Sequence, residues 1–490
     1  MKKFKCKICG YEVELSELPK DYKCPICGVT SEYFEEVEET INSVPIDEDN
    51  PSIMRIIEKC INCGICKTTC VNKVGINYDK NQNFNPECIN CGKCRLSCPT
   101  GAIVPRYNYQ KVMEEIKNKD KIVIVSTSPS VRVALGEEFN MEPGSFVEGK
   151  MVSALKKLGF DYVLDTTFGA DLTIMEEANE LVDRIKNNKT LPLFTSCCPA
   201  WVKYLEINYP ELLDHLSSCK SPIGMQGAII KTYFSKSMNI KPENIVNVAL
   251  TPCVAKKYEI KREEMCASAE YNNNEKLKDM DYVITTSELG LMLRENNINF
   301  NELEDGQYDS LLERGSGAGL IFGNTGGVTE AAIRTTYNIL TNKDLEQDSI
   351  EYKEVRGLNS VKEATINIDN LNIKVAIIHG ITNVKPFLDK LKNENLNYHF
   401  IEVMSCNGGC IGGGGQPLTS ISREEGIIEK RMQSLYNNDK NSKVRCSYQN
   451  EDIKRIYKYF LGKPNNKLSK ELLHTKYVDR SYLKRGKVTL

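Results

Sequence analysis

Apolar residues in the central and later parts of the chain fall into short runs bounded by polar turns. The run KIVIVSTSP predicts a strand over 122–127, and similar runs predict strands over 162–167, 191–196, 246–251, 281–286, 374–379 and 398–404. Between them, apolar positions recur at helical spacing, predicting helices at about 172–187, 221–235, 328–340 and 383–394. A polar segment before the first strand, NYQKVMEEIKNKDK, also reads as helical. Alternation of this kind predicts parallel βαβ units in one large α/β domain. The chain beyond residue 450 is helical, polar and Lys-rich, and its LLHTKYVDR segment is expected to pack as a tail on the surface.

Three of the predicted strands run straight into cysteine: LPLFTSCCPAW (191–201), VNVALTPCVAKKYE (246–259) and HFIEVMSCNGGCIGGGGQP (399–417). Ligand-binding loops gather at the carboxyl ends of strands in α/β sheets, so Cys197, Cys198, Cys253, Cys406 and Cys410 can meet at one point. Taken alone, TSCCP also fits a reactive-thiol turn and TPC is weak. CNGGCIGGGG says more, because its glycines allow positive φ and let the backbone approach a bulky ligand. Cys198, Cys253, Cys406 and Cys410 supply four thiolates for one 4Fe-4S cube, which leaves Cys197 over.

Composition narrows the setting. A chain of 490 residues with 41% hydrophobic content has room for about three domains and a substantial core. A net charge of -2 gives no argument for nucleic acid or an anionic membrane as partner. No apolar run is long enough to span a bilayer, and the charged start MKKFKCKICG has no apolar stretch behind it, so a cytoplasmic protein is expected. Twenty cysteines in a reducing compartment read as metal ligands rather than disulfides. Isolated Cys219, Cys266 and Cys446 fit instead as small buried hydrophobes.

Residues 51–107 hold eight cysteines in two similar blocks, Cys60-x2-Cys63-x2-Cys66-x3-Cys70 and Cys88-x2-Cys91-x2-Cys94-x3-Cys98-Pro99. This is the two-cluster ferredoxin spacing, in which the fourth cysteine of each block serves the other cluster. Cys60, Cys63, Cys66 and Cys98 are therefore assigned to one 4Fe-4S cluster, and Cys88, Cys91, Cys94 and Cys70 to the other. Val71 rather than proline follows Cys70, which removes no ligand. Residues 1–38 carry Cys6, Cys9, Cys24 and Cys27 in a C-x2-C-x14-C-x2-C pattern. Four thiolates so spaced suit one iron or one zinc, and a zinc ribbon fits the spacing equally. With Phe4, Tyr11, Tyr22 and Phe34 available as an aromatic core, CKICGY and YKCPICG resemble rubredoxin, in the compact form found in rubrerythrins. Residues 39–50 are acidic and read as a linker.

TSCCPAW, TPCVAKKYE and EVMSCNGGCIGGGGQP, in this order behind a two-cluster ferredoxin module, resemble FeFe-hydrogenase over about residues 51 to 490. The resemblance implies a catalytic domain over 108–465, with two lobes of parallel sheets, flanking helices and the active site between them. It also implies a 466–490 tail similar to the hydrogenase small subunit. It implies an H-cluster, a 4Fe-4S cube joined through one cysteine to a diiron unit bearing CO, cyanide and a dithiolate with an amine bridgehead. Cys198, Cys253, Cys406 and Cys410 would hold the cube, with Cys410 bridging, and Lys256 would donate to a cyanide ligand. Ser128, Pro129, Ser130 and Met404 would line the diiron pocket. The reaction implied is the reversible conversion of two protons and two electrons to H2. Ferredoxin or a rubredoxin-type carrier would be the electron partner, and diiron maturation proteins would load the site.

A proton route is implied as well. Glu177, Glu180 and Arg184 fall on one face of a helix expected to be capped by Asp171. Spacing alone describes a solvated charged stripe. By resemblance, protons pass from Arg184 at the surface through Glu180, Ser217 and Glu177 to Cys197. Ser128, Ile223, Thr251, Ser405, Asn407 and Ala200 depart from residues common in the family. They bear on catalytic bias and rate more than on identity. A hydrogen sensor, an iron–sulfur assembly protein without the diiron unit and a plain electron carrier are the alternatives. Cys197, Lys256, the acidic relay and the large α/β domain argue against them.

Overall fold

The computed structural model describes residues 2–37, 42–76, 84–85, 87–310, 312, 315–394, 396–418, 424–485 and 487–488. The chain opens with an antiparallel sheet of β1 (Lys2–Cys6), β2 (Glu12–Leu15) and β3 (Phe34–Val37), in the order β2-β1-β3. Phe4, Cys6, Cys24 and Phe34 are its buried core, with Tyr11 and Tyr22 packed against them. A core this small needs a staple, and four thiols at one end of the sheet are placed to supply it through a metal. Of the expected linker, residues 39–41 lie outside the described residues, while Val44 and Asn50 are buried. The Val44 N–H donates to Cys66 Sγ at 3.4 Å, which fixes this stretch to the next module.

That module is α+β. β4 (Ile53–Arg55) leads to α1 (Ile65–Val74), then β5 (Phe84–Asn85), α2 (Lys93–Leu96) and β6 (Ile103–Pro105). β4 pairs antiparallel with β6, and β5 pairs with the C-terminal strand Lys487–Val488.

The large domain begins at α3 (Tyr109–Lys117). It contains β7 (Ile122–Thr127), α4 (Glu148–Leu158), β8 (Tyr162–Asp165), α5 (Thr167–Lys186), β9 (Leu193–Phe194), α6 (Pro199–Asn208), α7 (Pro222–Ile229), β10 (Ile245–Thr251), β11 (Tyr282–Thr285), β12 (Val361–Ile368), β13 (Leu371–His379) and β14 (Phe400–Met404). Two four-stranded sheets result, β11-β10-β7-β8 and β12-β13-β14-β9. The first is parallel throughout, and all seven residues of β10 are buried, as expected for a central strand covered on both faces. In the second, β13, β14 and β9 are parallel, while β12 joins β13 as an antiparallel hairpin.

The structure departs from the sequence reading at three places in this domain. β12 went unpredicted, although it alternates exposed and buried positions and turns at Asp369 with φ 51°. Helix α5 starts at Thr167, not after Asp171, because the Asp165 carboxylate accepts the Thr167 N–H at 2.9 Å. Asp171 is therefore not a cap. Its buried carboxylate accepts hydrogen bonds from the Ser316 backbone and hydroxyl, both at 2.7 Å, from Ser447 Oγ at 2.7 Å and from Asn450 Nδ2 at 2.9 Å. The C-terminal segment is not a surface tail either. Leu472 and Leu473 are fully buried in one core with Phe168, Leu172 and Cys219.

Candidate active site and metal centres

Carboxyl ends of strands from both sheets face one small cavity of about 60 Å³. The loop after β7 brings Ser128, Pro129 and Ser130 to it, and the loop after β9 brings Cys197. Thr251, Cys253 and Lys256 come from the end of β10 and its loop, and Met404 and Cys410 from β14 and the loop beyond. Ile223 and Phe322 complete an apolar wall. Behind it, Cys198 Sγ lies 3.4 Å from Ser405 Oγ and accepts the Ser405 N–H at 3.5 Å. Burial pushes the Cys253 thiol up to about 11, helped by the charge of Cys198. Cys406 and Cys410 are also held above the ordinary thiol range, first by burial and then by neighbouring sulfurs, Cys253 among them. Such a group of thiols ionises together only around a cation, so this donor chemistry fits a metal–sulfur group.

Two further observations fit a bulky group here. Ser130 Oγ is buried without a hydrogen-bond partner among the described residues. The glycine-rich loop hugs the site closely: a Cβ on Gly413 would stand 2.3 Å from the Pro252 carbonyl and 2.9 Å from that of Cys410.

Lys256 reaches this cavity, but its anionic partner is part of the protein. Its ammonium donates to the two Glu259 carboxylate oxygens at 2.9 and 3.1 Å and to the Cys197 carbonyl at 2.9 Å. Burial works against the charge, and Glu259 outweighs it, so the Lys256 pKa is raised. Lys256 therefore has a protein carboxylate as countercharge besides any cyanide ligand of the cavity. Glu259, which also accepts from Ser221 Oγ at 3.0 Å, was missed although it stands three residues on, at helical contact spacing.

The acidic face of α5 points inward rather than into solvent. Arg184 is only partly exposed and donates to Glu180 Oε1 at 2.7 Å. Ser217 Oγ donates to Glu180 Oε2 at 3.0 Å. Glu177 is buried, and its Oε2 has no hydrogen-bond partner among the described residues. Burial raises its carboxyl to about 8, the charge of Glu180 adds to this, and the Ser217 hydroxyl opposes it. Burial likewise raises Cys197, with Glu177 as the largest neighbouring charge. A cleft of about 260 Å³ lined by Glu180, Arg184, Asp214 and Ser218 opens at the outer end. Two C-terminal residues passed over in the sequence support the line: Tyr477 Oη donates to the Ser217 carbonyl at 2.6 Å, and His474 Nδ1 lies 2.8 Å from Ser218 Oγ.

Comparison with known proteins bears directly on this site. The family described as "Iron only hydrogenase large subunit, C-terminal domain" matches residues 121–414, more than half of the chain. The chain belongs to the iron-only hydrogenase family. "Iron hydrogenase small subunit" matches residues 425–480, "4Fe-4S binding domain" residues 84–104 and "Rubrerythrin, rubredoxin-like domain" residues 4–35. Among relatives, "Iron hydrogenase 1" of Clostridium pasteurianum is 43% identical over 449 residues, covering 88% of this chain and 77% of that one. "NADP-reducing hydrogenase subunit HndD" of Solidesulfovibrio fructosivorans is 41% identical over 453 residues, covering 88% and 75%. The solved structure of a variant of apo [FeFe]-hydrogenase HydA1 from Chlamydomonas reinhardtii superposes with a TM-score of 0.67 at 37% identity, over 77% of this chain and 99% of that one. Iron–sulfur assembly factors are more distant, at 28% to 30% identity, which favours the enzyme over the assembly reading. The chain is an oxidoreductase acting on hydrogen and carries iron–sulfur centres.

In this hydrogenase the eight cysteines of residues 60–98 form two sulfur groups, the second of them against the large domain. Cys60, Cys63, Cys66 and Cys98 surround one small cavity. Cys91 and Cys94, raised first by burial, both have Cys70 and Cys88 as charged neighbours. This second group abuts the large domain. Arg95 donates to the Gly414 and Gln416 carbonyls at 3.0 and 2.7 Å, and Lys203 Nζ donates to the Cys88 carbonyl at 2.7 Å. A Cβ on Gly92 would lie 2.5 Å from Val254 Cγ2, so the two loops touch beside Cys91 and Cys253. In the N-terminal module, Cys6 Sγ and Cys27 Sγ are 3.6 Å apart and Cys9 Sγ and Cys24 Sγ 3.4 Å, with all four within 4.8 Å of one another. Gly10 and Gly28, both at φ 77°, make the two knuckles, each N–H returning to the carbonyl of the first cysteine of its pair. Among the described residues no helix is long and apolar enough to cross a membrane.

Proposed function

We propose that this hydrogenase interconverts protons and H2 at an H-cluster in the cavity between its two sheets, fed by electrons through its N-terminal modules. Cys198, Cys253, Cys406 and Cys410 hold a 4Fe-4S cube. Cys410 would also hold a diiron unit with CO, cyanide and azadithiolate-type ligands, in a pocket lined by Ser128, Pro129, Ser130 and Met404. When bound, that unit supplies the metal at which protons and electrons combine. The observation that carries this reading is the spare thiol. Cys197 opens on the cavity beside Cys410 with buried Glu177 as its largest neighbouring charge, and Ser217 and Glu180 lie between Glu177 and the surface cleft, which supports a proton line between them.

Each protein group then has a task. Arg184 holds Glu180 at the cleft, where it collects a proton. Ser217 passes the proton inward to Glu177. With its carboxyl raised to about 8, Glu177 keeps a proton at neutral pH and hands it to Cys197. Lys256, kept charged by Glu259, would set its positive charge beside the anionic ligands of the cavity. Ile223 and Phe322 keep bulk water away.

Electrons enter through one cluster on Cys60, Cys63, Cys66 and Cys98 and another on Cys88, Cys91, Cys94 and Cys70. Cys6, Cys9, Cys24 and Cys27 hold an iron, for which zinc is the alternative that metal analysis would detect. Ferredoxin or a rubredoxin-type carrier is the partner, maturation proteins load the diiron unit, and the chain works in the cytoplasm, a setting that cysteines spaced as metal ligands rather than disulfides support.

Replacing Glu177 by Gln tests the proton line. H2 turnover is expected to fall about 10²-fold or more, with iron and sulfide content unchanged. In the parent enzyme, proton reduction is expected to decline as pH rises through about 8, because Glu177 then loses the proton it must donate. The Gln variant lacks this limb. Parent-like turnover in the variant would remove Glu177 from the path.

A further inference from the structure

Three metal-ligating side chains meet beside the proton line, apart from the cysteine clusters. The donor atoms of Glu180, Cys219 and His474 lie within 4.8 Å of one another. Cys219 is fully buried, and its Sγ is 3.8 Å from Glu180 Oε2. That contact already has the span of two ligands on one tetrahedral zinc, about 3.3–3.8 Å for bonds of about 2.0–2.3 Å. Glu180 presents its two oxygens differently. Arg184 takes Oε1, whereas Oε2 faces Ser217, Ser218 and Cys219.

His474 is set up as a ligand with a supporting carboxylate. Its Nε2 faces Glu176 Oε2 at 3.0 Å, leaving Nδ1 on the Ser218 hydroxyl at 2.8 Å. Glu176 is itself fixed, by Tyr457 Oη at 2.5 Å and the Asn465 N–H at 2.7 Å. A carboxylate behind a histidine is the usual outer support of a zinc ligand. Charge favours a cation too: Glu176, Glu177 and Glu180 all act on Cys219. The opposing cations near the cleft are Arg184, already paired with Glu180, and Lys189 and Lys470 on its rim.

We propose that Glu180, Cys219 and His474 form an inhibitory site for a borderline-soft divalent metal, zinc in the first instance, where the proton line meets the surface cleft. His474 Nδ1 leaves Ser218 for the metal while Nε2 stays on Glu176, and water fills the fourth position. The Cys219 thiol gives up its proton to solvent through the cleft as the Zn–S bond forms. Zinc there ties down Glu180 and stops proton supply. The inhibition, but not the binding, rests on the relay of the proposed function.

The test uses the mature holoenzyme, dialysed anaerobically against micromolar zinc, beside Cys219→Ser and His474→Gln. The parent is expected to retain more zinc than either variant. Zinc-edge X-ray absorption is expected to show mixed sulfur and nitrogen/oxygen ligation, distinct from the four sulfurs of an N-terminal zinc. Parent turnover is expected to drop about 10²-fold with zinc and to return with a chelator, while zinc-free Cys219→Ser matches the zinc-free parent and both variants resist inhibition. Equal zinc retention in all three proteins overturns the site. Zinc that depends on Cys219 but leaves turnover unchanged overturns the inhibitory role and points to an error in the relay rather than in the site.

Discussion

Replacing Cys197 by alanine is expected to lower H2 turnover by about 10²- to 10⁴-fold while the clusters stay in place. The reason is positional. Cys197 is the spare thiol on the cavity, and burial with Glu177 beside it favours the protonated form, the form a donor needs. The substitution is unusually clean, because Lys256 is anchored by the Cys197 backbone carbonyl and by Glu259, neither of which is removed. A serine variant keeps the size but has a far less acidic hydroxyl, so it is expected to recover little. Turnover with a chemically reduced dye, set beside iron and sulfide analysis, checks both halves. Near-parental turnover in the alanine variant would mean that protons reach the site another way.

The second large effect is expected at Cys410. Changing it to serine is expected to abolish turnover and to lower bound iron by the diiron unit, with an iron–sulfur cube still detectable by electron paramagnetic resonance. Among the four proposed cube ligands only Cys253 and Cys410 open on the cavity, and Cys410 shares it with Cys197. Cys406 does not line it, so Cys406→Ser is expected to damage the cube first. The same loss pattern in both variants would argue against Cys410 as the bridge.

The parts of this protein that were legible in the sequence are those where one local pattern carries one physical meaning. Apolar runs ending in cysteine gave the carboxyl-end loops of β9, β10 and β14, and seven strands were placed because each is a short, bounded, apolar run. The hairpin strand β12 escaped because its alternating pattern is mixed with charges, as suits a strand with one exposed face. Asp171 looked like a cap because Asp before an apolar stretch usually is one. The helix instead begins at Thr167, whose N–H the Asp165 carboxylate accepts, and Asp171 inside it ties the helix to Ser316 and to Ser447 and Asn450. The acidic stripe on α5 was ambiguous from spacing alone. Only tertiary packing decides whether such a face meets water or Ser217.

Long-range partnerships were the illegible part. Nothing in the local sequence ties His474 or Tyr477 to residues 217 and 218, more than two hundred and fifty positions away. The polar, Lys-rich surroundings of the C-terminal segment also hid the two leucines that anchor it in the core. Glu259 is the instructive miss. A buried lysine requires a countercharge, and a carboxylate three residues on was visible, but the resemblance supplied another anion first.

The central claim is that this chain holds a diiron unit on Cys410 and turns over H2 there. The most direct test is an infrared spectrum of the chain produced anaerobically with the diiron maturation machinery, recorded on the sample used for an H2 assay. Bands from metal-bound CO and cyanide are expected together with H2 turnover, and loss of both in Cys410→Ser. A competently matured protein with intact iron–sulfur clusters, but with neither the bands nor turnover, would contradict it.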